Sequence, residues 1–71
     1  MTKDTYTFII YMIHICSKRW HISPSRVYGL LKKSGCLTSF LIPNYDILHT
    51  QSSNFIAQDI EEYLKERKVS L

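Results

Sequence analysis

The sequence predicts an all-α fold: a small helical bundle of three longer helices plus a short broken helix, formed by residues 1–71 as one small domain. Three observations carry this. Apolar residues return every three or four positions, over one stretch too long for an ordinary strand. Helix punctuation recurs, with Ser23-Pro24 opening one segment, Gly35 closing it, and Ser52 or Ser53 opening another. No repeat, low-complexity tract or linker interrupts the pattern. An apolar content of 45% with 13% aromatics excludes a disordered tail. A chain this short buries roughly 60% of the surface its unfolded form exposes, and its core rarely supplies more than about 3–5 kcal/mol. That scale argues against a deep enzymatic cleft.

The first element covers Thr5 to His21. On a helical wheel Tyr6, Ile9, Ile10, Ile13, Cys16 and Trp20 share one face, and Thr7, His14, Lys18 and His21 form a narrow polar stripe. Phe8, Tyr11, Met12 and Ile15 make a second apolar strip that continues into Arg19. Four isoleucines would also suit a strand, but about 16 residues exceeds strand length, so the segment is read as a helix. A helix that is apolar nearly all round is buried or shared with a partner. In the second element Ser23 is the N-cap and Pro24 the first helical residue. Val27, Tyr28, Leu30 and Leu31 are expected to face inward, with Ser25, Arg26, Gly29, Lys32 and Lys33 outward. Gly29 is read as mere tolerance inside the helix.

Pro43 disfavours helical geometry at Ile42, so the third element is expected as a short helix over Leu37 to Ile42, a break, then a turn or second short helix over Asn44 to Leu48. The last element carries Ile56, Ile60, Tyr63 and Leu64 on its inner face. Glu61 and Lys65 are spaced for an i,i+4 ion pair, and Asp59, Glu62 and Glu66 make an acidic flank beside Phe55.

The longest apolar stretch, Phe8 to Cys16, is nine residues and contains His14. A membrane span needs about 20. A signal peptide would have only Lys3 as its basic region and would run into Lys18-Arg19 at the cleavage site. A cytoplasmic protein with reduced thiols is therefore expected. Metal binding is not: His14 and His21 lie roughly 10 Å apart along the helix, and Cys16 points about 160° away from His14. The densest polar cluster, His49-Thr50-Gln51 with Asp46 upstream, reads as a joint between helices, with Thr50 and Ser52 as caps. No cofactor and no catalytic activity are expected.

Residues 1 to 35 hold six cations against Asp4 alone, a net of +5; residues 36 to 71 hold three cations against five acids, a net of −2. Packing of the two halves against each other accounts for this most simply. The alternative is a helix-turn-helix-like nucleic-acid binder using Arg26, Lys32 and Lys33. The segment after Gly35 offers only Thr38 and Ser39 to base edges, so such contacts would fall on phosphates.

Val27-Tyr28-Gly29-Leu30-Leu31-Lys32-Lys33-Ser34-Gly35, Tyr45-Asp46-Ile47-Leu48-His49-Thr50-Gln51, and the closing pattern Phe55-Ile56, Asp59-Ile60, Tyr63-Leu64 resemble the small bacterial domain-of-unknown-function family 3791. The resemblance runs from about Phe8 to Glu66. Where the family pattern has a glycine after the glutamine, this chain has Ser52, so no tight glycine turn is carried over. The resemblance implies a free-standing cytoplasmic protein without assigned activity. Its members tend to be encoded beside larger proteins, some resembling ADP-ribosyltransferase toxins. It thus implies an antitoxin-like or accessory partner protein.

The functional expectation is a protein-binding module. Tyr6, Ile9, Ile10, Ile13 and Trp20 suffice to dock the first helix onto Leu30, Leu31, Ile60 and Leu64. Phe8, Tyr11, Met12, Ile15 and Arg19 are then surplus and would contact a second copy or a different protein. In the competing reading, the broken third segment covers that strip.

Overall fold

Thr2 opens the first helix, its hydroxyl accepting the Thr5 N–H at 3.1 Å. The helix, α1, runs Lys3–Trp20. It ends at His21, which takes the left-handed conformation at φ 58° and donates its N–H to the Ser17 carbonyl. The next three residues repeat the logic: Ser23 accepts from the Arg26 N–H, Pro24 fills the first helical position, and α2 spans Pro24–Ser34. Gly35 closes it at φ 83°, a conformation a side chain would strain. In this computed structural model residues 2–69 are described, and among them every regular element is helical.

The third element differs in kind. Leu37–Leu41 is a π-helical turn, with the Ile42 N–H reaching back five residues to the Leu37 carbonyl at 3.1 Å. Pro43 supplies the reason. It has no N–H for the Ser39 carbonyl, and its ring would crowd that carbonyl in a regular helix, so the turn widens. After the break come α3, Tyr45–Leu48, and α4, Ser53–Glu66. The helices pack α1 on α2, α1 on α4, and α2 on the π turn. Between them lies one core that includes Ile9, Met12, Ile13, Cys16, Val27, Leu31, Leu41, Ile56, Ala57, Ile60 and Leu64.

One expected contact is replaced. Glu61 pairs with Arg19, not Lys65, and also accepts the Trp20 indole N–H at 2.6 Å. A residue 41 or 42 positions away competes successfully with a helical neighbour because it joins α4 to the end of α1. Arg19 and then Trp20, as hydrogen-bond donors, hold the Glu61 carboxyl below its ordinary range against the opposing effect of burial. At Gly29 an added Cβ would meet nothing within 4 Å, in keeping with tolerance, not close approach.

Candidate functional site

The strip expected to bind a partner is not an exposed face. Met12 is fully buried, and Phe8 and Ile15 are half-buried against the core. Phe8 meets the Tyr45 ring edge-on, with centroids 5.4 Å apart. Arg19 is engaged with Glu61. Of the five residues only Tyr11 stands exposed without a partner named above. The physical reason is rotation of α1 about its axis. The helix turns the seam between its two apolar strips to the core, burying Thr5, Ile9, Met12, Ile13 and Cys16, and the residues around α3 cover Phe8.

That rotation exposes the outer edge of the other strip. Tyr6 and Ile10 are exposed on α1, and Tyr28, expected inside, is exposed on α2. With Ile9, Ile13, His14, Pro24, Ser25 and Leu37 they line a groove between α1 and α2 with a volume of about 480 Å³. Its floor is aliphatic and its walls aromatic. At the α2 wall the Lys32 ammonium lies 6.0 Å from the Tyr28 ring centroid. Sequence reasoning missed the groove because it assigned Tyr6, Ile10 and Tyr28 to the core. The one available signal was the width of the apolar arc on α1, wider than one neighbour can cover.

His49, Thr50 and Gln51 are exposed in the turn between α3 and α4. His49 stacks on Tyr45 at 4.6 Å, and its Nδ1 lies 2.9 Å from the Tyr45 carbonyl oxygen. Thr50 donates its hydroxyl backward to the Ile47 carbonyl at 2.8 Å, so it finishes α3 and does not cap α4. Ser52 is the cap, accepting the Phe55 N–H at 3.2 Å. Ser52→Ala is accordingly expected to cost about 0.5–2 kcal/mol, and Thr50→Ala less. Urea titration of both variants checks the order; equal losses would contradict it.

Arg26, Lys32 and Lys33 are all exposed on α2, with Arg26 and Lys33 two turns apart on one side of the helix. Lys32 sits beside the groove, whereas Lys33 shares a separate hollow of about 720 Å³ with Leu30, Ser34, Arg67, Lys68 and Val69. The π turn that follows Gly35 is five residues long. No helix among the described residues is long and apolar enough to cross a membrane. No group of three or more His, Cys, Asp or Glu residues that could hold a metal is present among them.

A family described as "Protein of unknown function (DUF3791)" matches residues 7–67. No curated protein and no solved structure matches the chain.

Proposed function

The chain belongs to the DUF3791 family, and we propose that it is a non-catalytic protein-binding module, an antitoxin-like or accessory subunit acting on a neighbouring bacterial protein in the cytoplasm. The observation that supports this reading is the groove between α1 and α2, where Tyr6, Ile10 and Tyr28 expose apolar surface around one concavity. Aromatic side chains at a concavity are the commonest anchors of protein contacts. Among the described residues the groups with displaced titration are two buried thiols and the hydrogen-bonded Arg19–Glu61 pair, and none of them lines the groove.

Co-expression with the product of the adjacent reading frame tests the reading. The wild-type chain is expected to co-purify with it. An Ile10→Glu, Tyr28→Glu variant is expected to lose the partner while its melting temperature moves by no more than a few degrees, since both sites face water. Co-purification undiminished in that variant would place the contact elsewhere. The runner-up reading is a helix-turn-helix-like nucleic-acid binder using Arg26, Lys32 and Lys33 of α2, and Arg67 and Lys68, which share a hollow with Lys33, support it. It requires retention on mixed-sequence duplex DNA with a salt slope of about −0.9 per phosphate contact. Absence of retention at low salt removes it.

A further inference from the structure

We infer that the groove between α1 and α2 receives the apolar face of an acidic amphipathic helix supplied by another protein. This rests on the protein-binding reading and adds the chemistry of the occupant. Tyr6 is 57% exposed, Ile10 38% and Tyr28 44%. Together they present on the order of 300 Å² of surface, mostly apolar. A stable globular interface needs about 800 Å² from each partner. The patch therefore suits a single element laid into a groove, recognised through two or three apolar side chains at i, i+3 or i+4, and i+7.

Among the described residues no carboxylate lines the groove. Lys32 stands over Tyr28 on one wall. On the other, helical periodicity places Lys3 and His14 on the same side of α1 as Tyr6 and Ile10. The acids are elsewhere: Asp4 and Asp46 line a hollow beside Pro43, Glu61 holds Arg19, and Asp59, Glu62 and Glu66 surround Phe40 and Tyr63. A helix with Asp or Glu beside its apolar stripe would lie next to Lys32 at the α2 rim and on the Lys3 side of α1, where a basic helix would meet repulsion.

A second copy of this chain fits poorly. Its acidic helical face is that of α4, which offers Phe55 as its one exposed large apolar side chain. Tyr63, behind it, is half-buried and covered by the Arg67 guanidinium at 3.6 Å from the ring centroid. One anchor does not fill the groove.

The test is selection of a displayed library of helical peptides against the full chain. Apolar residues are fixed at i, i+3, i+4 and i+7, and the flanking positions are randomised. Selected flanks are expected to be rich in Asp and Glu. A synthetic peptide of the winning sequence should perturb NMR signals of Tyr6, Ile10 and Tyr28 in the labelled chain. A Lys3→Glu, Lys32→Glu variant should bind that peptide about tenfold more weakly, with its fold unchanged. Neutral or basic flanks, or perturbations outside the groove, would overturn the inference. So would concentration-dependent shifts of the groove signals in the free chain, which would point to a second copy. If no peptide binds yet the co-expressed protein still co-purifies, the inference falls and the protein-binding reading stands. If neither binds, both fall.

Discussion

A Phe8→Ser, Met12→Ser protein is expected not to fold. Met12 is completely buried among the helices, and truncating a buried Met costs about 2–5 kcal/mol before any polar group is added. A serine hydroxyl left there without a partner adds about 1–3 kcal/mol. Phe8 is half-buried with its ring against Tyr45, so its loss also releases the segment around α3. A core in a chain this size holds about 3–5 kcal/mol in all, less than the combined cost. Far-UV circular dichroism should show little helix and no cooperative melt. Tyr11→Ser is the comparison: it belongs to the same strip of α1 but is 53% exposed, and its effect should stay within about 0.5 kcal/mol. A double variant melting cooperatively within a few degrees of wild type would restore the strip as a free surface.

The contrast between Tyr11 and Met12 shows where the sequence was legible and where it was not. Element boundaries could be read because local chemistry sets them. Ser23, Pro24 and Gly35 act within one helical turn of where they stand, and the caps of α2 fall on those residues. Which face of α1 turns inward is not a local property. Apolar residues cover most of its circumference, so periodicity alone leaves the rotation undetermined by a third of a turn or more. Packing against α2, α4 and the residues around α3 decides it. The groove inherits that uncertainty, since the rotation that brings Met12 inside leaves Tyr6 and Ile10 exposed on α1, facing the exposed Tyr28 of α2. Glu61 is a second case. Helical spacing pointed to Lys65, while the tertiary partners Arg19 and Trp20 lie more than 40 residues away in the chain. The π turn is a third, for Pro43 announces a break but not that the preceding turn widens to five-residue bonding.

Stability is expected to collapse in alkali, through two thiols that have no part in the groove. Cys16 and Cys36 are both free and buried. Burial is the main cause that pushes the Cys16 thiol from its ordinary value of 9.0 to about 12, with the Glu61 charge adding to it. Cys36 is pushed from 9.0 to about 12 chiefly by burial as well, with Cys16 adding to it. Both folded values lie above the unfolded ones. Well below pH 9 the thiols are protonated in either state and cost nothing. Above it the unfolded chain releases protons that the folded chain keeps, so stability falls as pH rises from about 9 toward 12. Each thiol contributes about 1.4 kcal/mol per pH unit in that window, and the two together about 3. Against a total of about 3–5 kcal/mol, this predicts unfolding between roughly pH 10 and 11. Tyrosines and lysines titrate in the same range, so the decisive quantity is a difference. Urea titrations from pH 8 to 11 should show the slope of stability against pH reduced by about 1.4 kcal/mol per unit in Cys16→Ala, and by a similar amount in Cys36→Ala. Below pH 9, thiol-directed alkylation of the wild-type protein should proceed only as fast as the chain opens, because a buried thiol is neither ionised nor reachable. A slope unaltered by either substitution would mean that the sulfurs ionise within the folded protein, and that water reaches the core between α1 and the π turn.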